Sequence, residues 1–281
     1  MRIFTSTQSL RDYLFEYKRV NKSVGFVPTM GALHEGHLSL VRRCKQENDV
    51  SVCSIYVNPT QFNNPEDLEK YPRTPEADQQ MLRDAGCDVI FMPADQEMYP
   101  SPVQLKMDFG NLETVLEGRF RPGHFNGVGI VVSKLFHLVQ PDVAYFGQKD
   151  LQQCLIIRQL IRDLSFPVEM VICPTVREPD GLAMSSRNQR LSPAHRAIAP
   201  LLYQALEIAH TILIGDGTVD HARQAVTHHL SMGGDIVLEY FEVVNTNDLT
   251  AFTAGAVQRP YALCIAALVG GIRLIDNMMV E

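Results

Sequence analysis

The stretch SVGFVPTMGALHEGHLSLVRRCKQENDVSVCSIYVN, residues 23–58, changes hydrophobic period on either side of a glycine-bearing loop. "SVGFVPT" is a short strand-like run that stops at Pro28, and "HLSLVRRCKQEN" carries Leu40, Val41 and Cys44 on one helical face. "DVSVCSIYVN" then reads as a buried strand. Strand, helix and strand in succession are the unit of a parallel sheet with crossover helices, so this stretch sets the fold class as α/β.

The pattern continues outward. "PEADQQMLRDAG" is a helix ended by Gly86, "CDVIFMP" a strand, "GVGIVVSKLFHLVQ" a helix and "DVAYFG" a strand. "KDLQQCLIIRQLIRDLS" places Cys154, Ile157, Ile161 and Leu164 at helical spacing, and "PVEMVICPTV" is a further strand. Pro174, Pro179 and Gly181 interrupt the series, and a hinge is expected there. Beyond it, "AHRAIAPLLYQALEIAHTIL" and "DHARQAVTHHLSM" read as two helices, followed by "IVLEYFEVVN" and "YALCIAALVGGIRLIDN" as strands of a small sheet. The expectation is a parallel-sheet domain over residues 1–175 and a smaller α+β domain over residues 176–281.

Composition narrows the function. With 25 Lys+Arg against 32 Asp+Glu the net charge of −7 gives no general attraction to nucleic acid or to an anionic membrane, so an anionic ligand must be held locally. No run approaches the ~18 consecutive apolar residues of a membrane span, and the N-terminus has no apolar signal-peptide core. The expected location is the cytoplasm. The six cysteines form no C-x-x-C pair, and reduced core thiols are expected.

Four loops carry chemistry. "HEGH" places His34 and His37 three apart at a helix start, where both imidazoles and the free N–H groups of the first turn can face one anion; the alternative is a cap residue beside a surface histidine. The spacing excludes the zinc motif H-E-x-x-H, whose histidines stand four apart. "FGQKD", residues 146–150, puts Lys149 after another strand-end glycine, as a phosphate-binding point charge or a solvated turn. "MSSRN", residues 184–188, offers two hydroxyls and Arg187, or a helix-capping serine pair. "NPTQF" places Asn58 and Gln61 at a strand end, where open α/β sheets bind ligands, or is simply an Asn-Pro turn.

"PTMGALHEGH", "NPTQF", "YPRT", "RPGHFNGV", "KLFHLVQPDVAYFGQKDLQQ", "DGLAMSSRN" and "RLIDN" together resemble, in order and spacing along nearly the whole chain, the pantothenate synthetase (pantoate–β-alanine ligase) family. The resemblance implies a Rossmann-like N-terminal domain that binds ATP and pantoate and a smaller C-terminal lid domain. It likens "HEGH" to the HIGH motif of class I aminoacyl-tRNA synthetases and "MSSR" to their KMSKS loop. The implied reaction condenses pantoate with β-alanine using ATP and Mg²⁺, through a pantoyl adenylate, in a cytoplasmic homodimer.

By the same resemblance Met30, Gly31, His34 and His37 contact ATP, with His37 the proton donor, and Gly147, Lys149 and Asp150 form a second ATP turn. Val176 pairs its backbone with adenine, while Met184, Ser185, Ser186 and Arg187 close over pyrophosphate. Gln61 and Gln153 meet pantoate, and Gln61 also lies near β-alanine; no metal ligand is assigned. Gln148 and Arg190 depart from the family pattern, which has Glu and an aromatic residue at those places in many members. A nucleotidylyltransferase that keeps its adenylate as product would share the same turns but need no amine site, and ATP use stimulated by β-alanine separates the two. A non-catalytic nucleotide-binding protein is disfavoured by the presence of His34, His37, Lys149, Ser185, Ser186 and Arg187. A tRNA-binding paralogue would need a basic surface that this acidic chain does not offer.

Overall fold

Short β-branched runs buried on both faces pair in parallel, and here they build the larger sheet. A computed structural model describes residues 1–215, 217–255 and 257–281. Its first sheet contains β1 (Arg2–Phe4), β2 (Val24–Thr29), β3 (Val50–Ile55), β4 (Val89–Phe91), β5 (Val143–Gly147) and β6 (Glu169–Cys173), ordered β1-β4-β3-β2-β5-β6 with every pairing parallel. From β2 the chain winds one way through β3 and β4, and from β5 the other way to β6. The strand order therefore reverses between β2 and β5, which pair at Gly25 with Val143 and Phe26 with Ala144. In an open α/β sheet that reversal opens a crevice beyond the carboxyl ends of the two strands.

The helix Glu35–Glu47 crosses from β2 to β3 and buries Leu38, Leu40, Val41 and Cys44 against Val27, Cys53, Ile90 and Tyr145. Each such fully buried aliphatic side chain stabilises by ~1.5–3 kcal/mol. Packing is close enough that a Cβ on Gly25 would stand 2.5 Å from both Cys44 Sγ and Asn48 Nδ2. Asn48 ends the helix inside the core, donating to Cys44 O at 3.0 Å and to Tyr145 Oη at 2.7 Å.

The chain divides into two units. One comprises Met1–Gln148 with Gln153–Pro174, and the other Lys149–Gln152 with Thr175–Glu281. The second contains an antiparallel sheet of β7 (Ile236–Asn245), β8 (Tyr261–Val269) and β9 (Ile272–Val280), ordered β7-β8-β9. Gly270 and Gly271, with φ of +55° and +76°, make the two-residue hairpin turn between β8 and β9. Both central residues of this turn need positive φ, which glycine supplies without strain. Leu202, Ala205, Leu206 and Ala209 of the helix Leu201–Ile214 pack with Val226 and with β8 residues Leu263, Ile265 and Ala267 into the core of this unit.

The expected α/β class with a smaller α+β part is observed. "AHRAIAPLLYQALEIAHTIL" is divided rather than continuous, as helices Pro193–Ile198 and Leu201–Ile214 separated at Ala199 and Pro200. Residues 193–214 are long and apolar enough in composition to cross a membrane, which the run-length reading did not register. One such segment is weak evidence, and its apolar face belongs to the core just described.

Candidate functional site

β2 ends at Thr29, and the next residues turn sharply: Gly31 and Ala32 have φ of +79° and +49°. A left-handed alanine costs roughly 1–2 kcal/mol, so the surroundings must hold it. They do so through Asp78, a carboxylate only 1% exposed on the helix Pro75–Asp84. Asp78 Oδ2 accepts from Ala32 N at 2.9 Å, and Oδ1 accepts from Leu33 N at 2.8 Å and from Thr74 Oγ1 at 3.1 Å. Thr29 Oγ1 closes the strand end by donating to Ser54 O at 2.7 Å and accepting from Gly31 N at 3.2 Å.

This turn delivers the two histidines. His34 is the N-cap of Glu35–Glu47 in extended conformation, and its carbonyl accepts from His37 N at 2.9 Å and Leu38 N at 3.1 Å. The imidazole centroids lie 4.0 Å apart with planes at 38°, and both rings are half-buried. Two imidazoles and a helix N-terminus thus share one place at the strand-order reversal, where partial positive charge favours an anion. Met30 joins them to a third candidate, since Gln61 Nε2 lies 3.3 Å from Met30 Sδ. Gln61 ends the 3-10 turn Pro59–Gln61 that follows β3, and Gln153 is half-buried on the helix Leu151–Asp163.

Gly147 closes β5, and no atom beyond its two chain neighbours lies within 4 Å of where its Cβ would stand, so packing does not demand glycine there. Lys149 Nζ lies 3.5 Å from Asp150 Oδ1, with the lysine side chain 18% exposed and the aspartate 48%. The Lys149 carbonyl accepts from Asn277 Nδ2 at 2.8 Å, which ties this turn to β9 within the second unit. Gln148 is half-buried at the start of the turn.

In the same unit, Met184 N donates to Val176 O at 3.0 Å and Arg177 pairs with Ala183, so residues 176–184 form a narrow loop that leads into the serines. Arg177 anchors its base. Its guanidinium donates to Asp276 at 2.6 and 3.0 Å, to Gly181 O at 3.1 Å and to Asn277 O at 3.2 Å, and lies 3.8 Å over the Tyr203 ring. Burial pushes the Asp276 carboxyl above the usual carboxylate range, against the pull of Arg177. Ser185 caps the 3-10 turn Ser186–Arg190 by accepting from Arg187 N at 3.3 Å, so the capping reading of the serine pair holds for Ser185. Ser186 is buried, and Met184, Arg187 and Arg190 are half-buried.

Sequence reasoning missed the residues that hold these loops. Asp78 gave one weak signal, an acidic residue in the first turn after Thr74-Pro75. Asp276 and Asn277 stand in the quoted "RLIDN", to which no role was attached. Among the described residues no group of three or more His, Cys, Asp or Glu is placed to hold a metal ion.

The family model described as Pantoate-beta-alanine ligase matches residues 2–279. A pantothenate synthetase of Cytophaga hutchinsonii is 53% identical over 98% of both chains, and one of Porphyromonas gingivalis is 46% identical over the full length of both. Among solved structures, pantothenate synthetase from Thermus thermophilus superposes with a TM-score of 0.93 at 43% identity, covering 99% of each chain. Pantoate-beta-alanine ligase from Francisella tularensis, solved in complex with Beta-gamma ATP and Beta-alanine, gives a TM-score of 0.83 at 34% identity over 99% of this chain and 97% of that one. Agreement of sequence and fold over nearly the whole length means that the chain belongs to the pantoate–β-alanine ligase family.

Proposed function

We infer that the chain condenses pantoate with β-alanine at the expense of ATP, releasing AMP and pyrophosphate through a pantoyl adenylate. The observation that carries the reading is the gathering of the H-x-x-H turn and the Gln61 turn at the carboxyl ends of neighbouring strands β2 and β3, beside the reversal of strand order. A pantoate carboxylate oxygen attacks the α-phosphorus, a new P–O bond forms, and the bond to pyrophosphate breaks. The β-alanine nitrogen then attacks the activated carbonyl carbon, the C–O bond to AMP breaks, and the nitrogen gives up a proton. No protein nucleophile is needed, so the chain's contribution is positioning and stabilisation of charge on phosphate oxygens.

In this reading His34 and His37 meet the phosphates, with His37 donating a proton to the departing oxygen, and Lys149 adds a fixed positive charge. Met30, Gly31, Gly147 and Asp150 complete the ATP contacts, Val176 offers its backbone to adenine, and Met184, Ser185, Ser186 and Arg187 serve the pyrophosphate. Gln61 and Gln153 hold pantoate, with Gln61 also near the amine. Mg²⁺ would be carried mainly by triphosphate oxygens, as this ion usually is, which suits a chain with no three-residue ligand cluster among its described residues; Asp150 is the half-exposed carboxylate that would stand with it. The ion would neutralise phosphate charge. A cytoplasmic homodimer with no nucleic-acid or membrane partner completes the proposal.

The test is product analysis by mass. Pantoate, β-alanine, ATP and Mg²⁺ should give pantothenate, AMP and pyrophosphate in equal amounts. ADP and phosphate as products, or pantoyl adenylate accumulating unchanged when β-alanine is present, would refute the reading.

A further inference from the structure

We propose that Asn58 and Tyr99 are positioning residues that fix the polarity of the Gln61 amide, so that Gln61 presents its N–H₂ and not its carbonyl to the hydroxy acid. The proposal rests on the reading of Gln61 as a pantoate contact. An amide side chain can usually turn over and exchange donor for acceptor. Here two backbone groups, whose polarity is not a matter of choice, remove that freedom.

Asn58 follows β3 and is 1% exposed. One end of its amide faces the Thr60 backbone N–H at 3.4 Å, which can only donate, and the other faces the Gly127 carbonyl at 3.3 Å, which can only accept. The first end must therefore be Oδ1 and the second Nδ2. Oδ1 also accepts from Tyr99 Oη at 2.8 Å and from Thr60 Oγ1 at 3.0 Å, so three donors hold this orientation. Nδ2, thus fixed as a donor, lies 3.0 Å from Gln61, and the Gln61 atom facing it must be the acceptor Oε1.

Nε2 is what remains, and it points to Met30 Sδ at 3.3 Å. A thioether is a weak acceptor, so a carboxylate or hydroxyl oxygen competes well for the same N–H. Gln61 therefore meets its ligand by donation.

The backbone of the turn is fixed as firmly. The Gln61 carbonyl can only accept, so the ring atom 2.8 Å away, His124 Nδ1, carries its proton and donates. Gly127 lies against the turn so closely that a Cβ there would be 2.3 Å from Thr60 O and 2.7 Å from Gln61 Cα. "RPGHFNGV" thus supplies both the histidine and the glycine that seat the helix His124–Val139 on the Gln61 turn.

Tyr99→Phe isolates the claim, because it keeps the ring, with its contacts to Tyr56 and Lys134, and removes only the hydroxyl. The experiment measures KM for pantoate and for ATP in wild type, Tyr99→Phe, Gln61→Ala, Gln61→Glu and the double variant Tyr99→Phe/Gln61→Ala. Tyr99→Phe should raise KM for pantoate about 2- to 10-fold, the scale of one net hydrogen bond, with KM for ATP unmoved. In the Gln61→Ala background the same change should add nothing, because Tyr99 acts through Gln61. Gln61→Glu, which offers only acceptors, should bind pantoate no better than Gln61→Ala. If Gln61→Ala leaves pantoate unaffected, the underlying assignment of Gln61 fails and the proposal with it. If Gln61→Ala weakens pantoate but Tyr99→Phe is silent, or its effect simply adds, the assignment of Gln61 stands and the positioning role of Tyr99 is overturned; if Gln61→Glu binds like wild type, the fixed polarity itself is overturned.

Discussion

The turn after β2 and the loop over residues 176–187 are each held by a buried aspartate, yet the two carboxylates work by different physics. Asp78 meets no cation among its hydrogen-bonding partners: it accepts two backbone N–H groups and a hydroxyl, and so holds the donors of a left-handed turn in place. Asp276 is paired with the Arg177 guanidinium through two hydrogen bonds, and its burial opposes its ionisation. The first device fixes backbone directly and involves little charge beyond its own. The second fixes a side chain, which in turn holds Gly181 O and Asn277 O, and depends on two charges that burial penalises. A turn that aims imidazoles is thus specified by backbone capping, and a loop that carries hydroxyls and Arg187 by a buried ion pair.

The largest effect should come from breaking the ion pair. Asp276→Ala leaves Arg177 without its carboxylate and should cost about 3–5 kcal/mol in urea-induced unfolding. A cost below ~1 kcal/mol would mean that Arg177 relaxes to water and that the two devices are equivalent.

Asp78→Ala should come next, at about 1–3 kcal/mol, the cost of leaving the buried Leu33 N–H without its carboxylate acceptor. Asp78→Asn sharpens the point. Both carboxylate oxygens are in use, Oδ2 by Ala32 and Oδ1 by Leu33 and Thr74, so an amide with one oxygen can serve only one side. Its cost should fall between wild type and Asp78→Ala, and it should slow ATP chemistry more than it weakens pantoate. An Asp78→Asn protein identical to wild type in stability and rate would remove the capping role.

The smallest effect is one of pH. Burial raises Asp276, so the folded chain keeps this proton to higher pH than the unfolded chain, where an aspartate titrates near ~3.9. The resulting stability is complete below that value and is lost as the pH rises through the raised folded one, with a slope of at most ~1.4 kcal/mol per pH unit. The advantage of wild type over Asp276→Asn should therefore shrink as the pH is raised above ~4. An advantage that grows instead would show that the attraction of Arg177 outweighs burial.

The same contrast between local and distant contacts governs what is legible in the chain. The α/β frame was legible because residues 23–58 change period twice within one short stretch. β1 was not, since the three residues Arg2–Phe4 at the sheet edge are too short to show a period and are mostly exposed. The H-x-x-H turn was legible because strand end, glycine and helix start are neighbours in sequence. Its support was not: Asp78 is 46 residues from Ala32, Asp276 is 99 from Arg177, and Asn277 is 128 from Lys149. Those pairings are made by tertiary packing, and no local pattern carries them. Ser185 shows the converse, a residue whose capping geometry is local and was readable as such.

In the proposed reaction these turns activate a carboxylate by adenylation before any amine is needed. Pantoate, ATP, Mg²⁺ and labelled pyrophosphate, with β-alanine absent, test it directly. Label should return to ATP in the wild type, and His37→Ala and Lys149→Ala should each depress this exchange by about 10²–10³, the usual cost of removing one preorganised donor to a developing negative charge. Exchange that appears only when β-alanine is added would contradict it.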